Sequence, residues 1–213
     1  MLLITQFENQ FLEYIQTEMD QDLAHDINHV LRVVKTAKFL CRKERALEEI
    51  VVPAAYLHDC FSFSKNHPNR SQSSKVAADK AVKFLDSIAY PIEYLGAIHH
   101  AILAHSYSAR VEPETLEAKI VQDADRLDAL GATGIARCIQ VSSKLGRPLY
   151  SSDDPFCSNR LPDDSLYTID HFYTKLLSLS GTMNTITAKK EAELRTAFMH
   201  EYLRQMEVEM DGC

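Results

Sequence analysis

Apolar side chains recur every third or fourth residue along almost the whole chain, and that period belongs to helices rather than strands. Ile4, Phe7, Phe11 and Ile15 mark a first amphipathic helix reaching about Met19. Val30, Val33, Val34, Ala37, Leu40 and Cys41 mark a second, and Leu47, Ile50, Val51, Ala54, Ala55 and Leu57 a third. Ser71, Ser73 and Ser74 offer capping hydroxyls to a helix carrying Ala77, Ala81, Phe84, Leu85 and Ile88. Tyr90-Pro91 ends that helix, and Pro91 suits the first turn of the next, through Leu95, Ile98 and Ile102. Pro113 opens another, with Leu116, Ile120, Val121, Ala124, Leu127 and Leu130, and Gly131 fits a C-terminal cap. Ala188 to Met210 reads as a last long helix. No convincing alternation of strand type appears, so the expected fold class is all-α.

Two stretches break the pattern. Phe61 to Ser71 is a loop carrying Lys65, His67 and Arg70, and Gly146 to Thr168 holds Pro148, Pro155 and Pro162. A loop as long as the second is usually a lid or a binding element. With 213 residues the chain can bury a sizeable core, and six Gly and seven Pro without a low-complexity tract argue against linkers. A net charge of -7 argues against nucleic acid as the main partner, since a phosphate backbone needs a basic face. It leaves a small phosphorylated substrate open, because a bound metal inverts the local potential. Five cysteines form no CxxC pair, the first residues lack a basic leader, and no stretch approaches a membrane span. The expectation is a cytoplasmic protein with reduced thiols. Cys60 follows Asp59 directly and reads as a small core residue rather than a ligand.

The chemistry gathers at His58-Asp59, which closes the third helix. An imidazole and a carboxylate, joined by His29 and by an acidic cluster in Val121 to Asp128, can hold a divalent ion and leave positions open. Neighbours on a helix point about 100° apart, so His58 and Asp59 share an ion only where the helix ends. Asp123, Asp125 and Asp128 are all available, and Asp125 and Asp128 share a face.

The order His29, then His58-Asp59, then Ala124-Asp125-Arg126-Leu127 resembles the HD superfamily of metal-dependent phosphohydrolases, whose motif is H…HD…D. His25 to His29, Lys65 to Pro68, Ala104 to Ser106, Glu117 to Gly134 and His171 to Leu177 resemble its bacterial YedJ-type branch. The resemblance implies an HD-domain helical bundle with additional C-terminal helices. It implies one domain over 1–213, with a metal-site core at about 22–135 and a lid, loop and helices at about 136–213. It implies metal ligands His29, His58, Asp59 and Asp125 for Mn, Mg, Fe or Zn, a donor set that does not choose among them. The implied activity is hydrolysis of a nucleotide or other small phosphorylated metabolite through a metal-activated water.

Within that frame Asp59, Asp128, His100 and His105 are the expected catalytic residues, and Lys65, Arg70 and Arg126 the expected substrate contacts. Several HD phosphohydrolases carry an acidic residue shortly after the HD pair; here Cys60 to Ser64 supply none, which leaves the general base open. Some HD proteins use two extra histidines to bind a second metal. His100 and His105 are expected to line the pocket instead, with His99 structural and His25 at the pocket border or the helix surface. The alternatives are a dinuclear HD-type oxygenase and a non-catalytic nucleotide-sensing HD module. The expected partner is a small phosphorylated substrate, a nucleotide first, with neither nucleic acid nor membrane; homo-oligomerisation is left open.

Overall fold

The run Ile-Val-Val-Pro-Ala-Ala-Tyr-Leu (Ile50–Leu57) has no polar side to offer to water, and a helix apolar all round must be surrounded. It forms most of α3 (Glu48–Leu57), and every one of those eight residues is buried. α3 lies against α1 (Leu2–Glu18), α2 (Ile27–Glu44), α4 (Ser73–Ser87) and α5 (Ile92–His105), and α4 also packs on α5. The computed structural model describes residues 2–19, 26–63, 67–106 and 109–210; among them there is no strand. The chain forms two compact units, Met1–Asp125 and Arg126–Cys213, and α6 (Leu116–Asp128) runs through the division. No helix of the described residues is long and apolar enough to cross a membrane.

Pro53 lies inside α3 and has no N–H, so the Glu49 carbonyl one turn earlier loses its helical donor. The Tyr90 hydroxyl replaces it, donating to Glu49 O at 2.7 Å. The Tyr90 ring also meets Phe7 and Phe11 edge-on, at 5.0 and 5.9 Å between centroids.

Three helix starts differ from expectation. The serines before α4 do not cap it: a 3-10 turn (Arg70–Gln72) feeds into the helix, and the Ser73 N–H donates to Arg70 O. That turn occupies the first donors, so the Ser73 hydroxyl is used elsewhere, accepting from the Phe63 N–H. Pro91 precedes α5 as its cap residue, not its first helical one. α6 begins at Leu116, after Pro113, because the Thr115 hydroxyl accepts the Ala118 N–H at 3.1 Å and supplies the cap.

In the second unit α7 (Gly131–Lys144) packs on α9 (Ile186–Met210). α8 (Asp170–Thr174) and a 3-10 turn (Leu176–Thr182) pack on each other, and that turn packs on α9. Gly131 adopts φ +70 and opens α7 rather than capping α6, which has already ended at Asp128. A side chain at Gly134 would place Cβ 2.1 Å from the Ala129 carbonyl oxygen, so only glycine fits. The long irregular stretch before α8 is closed at its base, where Thr168 and Ile169 N–H donate to Pro148 and Leu149 carbonyls at 3.0 and 2.9 Å. At its end the fully buried Asp170, first residue of α8, takes both arms of Arg160, at 2.5 and 2.7 Å, and the Asp163 N–H at 2.6 Å.

Candidate metal centre

Four helices of the first unit bring imidazoles and carboxylates together. Asp26 caps α2, accepting the His29 N–H on Oδ1 at 2.7 Å, and so fixes His29 in the first helical turn with its ring buried. His58 directly follows α3, still helical at φ -57 and ψ -35, and its Nδ1–H donates to Ala55 O at 2.8 Å. Asp59 is next in the chain. Asp125 comes from α6, which the Gln122 amide ties to the end of α5 by donating to Ala104 O at 2.7 Å. His105 ends α5 and donates from Nδ1 to Ile102 O at 2.6 Å.

The remaining ring nitrogens face the carboxylates. His29 Nε2 lies 3.7 Å from Asp59 Oδ2 and 3.5 Å from Asp125 Oδ1; His58 Nε2 lies 3.5 and 4.0 Å from the same two oxygens. These separations are too long for hydrogen bonds. Two ligands of one tetrahedral ion, each about 2.1 Å from it, stand roughly 3.4 Å apart, so the spacing suits groups sharing a cation. His105 Nε2 lies 3.6 Å from Asp59 Oδ1, so Asp59 turns one oxygen toward His29 and His58 and the other toward His105.

The nitrogen lone pairs point the same way. With its proton on Nδ1, a neutral His58 points the Nε2 lone pair at two carboxylates, and that atom is buried without a hydrogen-bond partner among the described residues. A second proton would relieve the repulsion, but burial, outweighing the nearby Asp59, holds the His58 pKa down at about 4. Two imidazoles and two carboxylates in this arrangement are a donor set that could hold a metal ion. Burial alone would raise the Asp125 pKa, but the charges of His29, His58 and His105 outweigh it and hold it below the usual carboxylate value. Burial likewise disfavours charge on His105, but the nearby Asp59 carboxylate, and then Asp125, outweigh it and raise its pKa. The imidazoles of His29 and His58 are 1% and 0% exposed, Asp59 and Asp125 14% and 30%, so the cluster opens on its carboxylate side.

An HD domain family model matches residues 26–130. The uncharacterized protein YpgQ of Bacillus subtilis is 36% identical over 197 residues, 91% of this chain and 88% of its own. The chain belongs to the HD-domain family. The crystal structure of YpgQ in complex with ADP superposes at a TM-score of 0.74 with 32% identity, over 98% of this chain and 97% of that one. An HD-superfamily hydrolase from Bacillus thuringiensis superposes at 0.76 with 31% identity, over 98% and 99%.

The H…HD…D residues therefore converge, and of the two additional histidines only His105 joins them. His100 Nε2 accepts the Glu114 N–H at 3.0 Å, and His99 Nε2 pairs with Asp79 at 2.9 Å. Cys60 is a core residue: its thiol donates to Ala77 O, and burial pushes its pKa up to about 12. Asp123 is fully buried. Asp128 is also buried and accepts from Arg137 at 2.7 Å, and Arg126 Nη1 donates to Thr182 O at 2.6 Å. Arg70 Nη1 donates to Phe63 O at 2.7 Å, within its own loop. His25 and Lys65 lie outside the described residues. Asp26, which holds the His29 backbone, and Gln122, which ties α6 to α5, were not singled out from the sequence; an Asp directly before a helical period was the available signal for the first.

Proposed function

We propose that the chain is a metal-dependent phosphohydrolase acting on a nucleotide or other small phosphorylated metabolite. The observation that carries this reading is the convergence of His29, His58, Asp59 and Asp125 at 3.5–4.0 Å, opening on the side of the two carboxylates. The hydrolase name of the B. thuringiensis relative and the ADP complex of YpgQ support it. A divalent ion held by these four residues would supply Lewis acidity to a phosphoryl oxygen and lower the pKa of bound water to about 7.

The chain's own residues provide the rest. His58, neutral because it is buried, is ready to donate a lone pair without first losing a proton. Asp59 and Asp125 face the open side, where substrate arrives. His105 brings Nε2 within 3.6 Å of Asp59 Oδ1 and would serve as the general acid for a leaving oxygen there. His100 and Asp128, occupied by Glu114 and Arg137, act as structural residues in this reading. A dinuclear oxygenase would need His100 as a ligand, and its bond to Glu114 counts against that. A purely sensing module has no need of an open face beside four metal ligands.

The test is a screen of nucleoside mono-, di- and triphosphates and simple phosphate esters with the chain loaded in turn with Mn²⁺, Mg²⁺, Fe²⁺ and Zn²⁺. Metal-dependent phosphate or pyrophosphate release, lost in His58→Ala, is the expected result. Full metal loading with no turnover of any compound would overturn the hydrolase reading.

A further inference from the structure

The loop that leaves the metal centre carries three aromatic rings, Phe61, Phe63 and His67, and none of them is fully buried. The Phe63 and His67 rings are parallel, 4.3 Å between centroids and 7° between planes, and Phe61 meets Phe63 edge-on at 4.9 Å and 88°. The pair is held from several directions. The Phe63 N–H donates to Ser73 Oγ at 3.1 Å, and its carbonyl accepts from Arg70 Nη1 at 2.7 Å. His67 Nδ1 accepts the Asn69 N–H at 3.1 Å, which locks the imidazole plane and leaves the ring proton on Nε2. Lys80 Nζ lies over the Phe61 ring, 5.2 Å from its centroid. Filling a core does not require this: the rings are only partly buried, yet three polar bonds fix one flat stack in place.

Its position suggests a use. Phe61 is two residues after Asp59 and Phe63 four, so even a fully extended chain keeps Phe63 within about 14 Å of the metal-facing carboxylate. We infer that the Phe63–His67 stack is a platform for the base of a nucleotide whose phosphates lie at His58 and Asp59. The inference rests on the nucleotide reading above and deepens it. Stacking accepts any base, because every base offers a π-face, and rings already fixed lose little freedom on binding. Arg70 is then a positioning residue that holds the platform through the Phe63 carbonyl.

The experiment titrates ADP and inorganic pyrophosphate separately into Mn²⁺-loaded wild type, Phe63→Leu, Phe63→Tyr and His67→Ala, with calorimetric readout. ADP should bind about 5- to 150-fold more weakly to Phe63→Leu and more weakly to His67→Ala. Pyrophosphate, which has no base, should bind all four proteins alike, and Phe63→Tyr should bind ADP like wild type. Wild-type ADP affinity in Phe63→Leu and His67→Ala overturns the platform and leaves the nucleotide reading standing. Equal loss of ADP and pyrophosphate also overturns it, since the rings would then only support the loop. A wild type that binds pyrophosphate but not ADP overturns the nucleotide reading and the platform with it.

Discussion

Nδ1 of His58 is taken by the Ala55 carbonyl and Nε2 faces two acids, so removing the ring should remove the ion. His58→Ala and Asp125→Ala should each abolish tight divalent-metal binding, measured as bound metal per chain after desalting. His100→Ala should retain it, because that ring serves Glu114. Full occupancy in either of the first two variants would show the ligand set to be wrong. Gly134 makes a different demand. Its missing Cβ would sit 2.1 Å from a backbone oxygen that has no flexible end to move aside. Gly134→Ala should therefore destabilise by about 2–4 kcal/mol in a denaturant melt, and a loss under about 0.5 kcal/mol would show that the Ala129 turn can shift. The convergence of His29, His58, Asp59 and Asp125 was legible in the sequence because they sit in short, ordered motifs. The choice between His100 and His105 was not. Five residues of helix do not reveal which face turns toward α3, and the Gln122 bond to Ala104 that aligns α6 with the end of α5 joins residues 18 apart.

At the level of elements, α3 keeps a proline in its interior because another element supplies the lost donor. Tyr90→Phe removes only the hydroxyl that serves Glu49 O, and stability should fall by about 1–3 kcal/mol with metal affinity unchanged. An unaltered unfolding midpoint would mean that water satisfies that carbonyl equally well. The stretch before α8 depends instead on charge. Burial alone would raise the Asp170 pKa, but Arg160 and the Asp163 N–H outweigh it and hold it below the unfolded value of about 3.9. A carboxylate depressed on folding contributes its stability above that unfolded value and loses it as pH falls through the folded one. Amide exchange across residues 146–169, corrected for intrinsic rates, should thus accelerate below about pH 4, and Asp170→Asn should be fast already at neutral pH. Equal protection at pH 7 and pH 3 would remove Asp170 as the support of this segment. Periodicity shows α1 to α6 and α9, where apolar residues recur at helical spacing against a core. It was silent on α7 and α8: α7 opens with Gly-Ala-Thr-Gly, and α8 has five residues, too few to display a period.

Across the whole molecule, every proposed ligand belongs to residues 1–125, although family resemblance extends far past that point. The sequence orders the proposed ligands but does not divide the chain, because α6 continues without a break through the boundary after Asp125. Metal binding should therefore appear as a stabilisation with an address. An ion at a hundred times its dissociation constant adds about 2.7 kcal/mol to whatever holds the native site together. For a chain of this size that corresponds to a rise of roughly 5–11 °C in the unfolding midpoint. Amide-exchange protection on adding Mn²⁺ should concentrate at the start of α2, the end of α3, the end of α5 and the Asp125 turn of α6. The His58→Ala, Asp125→Ala double variant should lose both the thermal shift and the local protection. If that variant is stabilised by Mn²⁺ as strongly as wild type, the ion binds elsewhere. The four residues would then be a buried polar cluster rather than a metal centre.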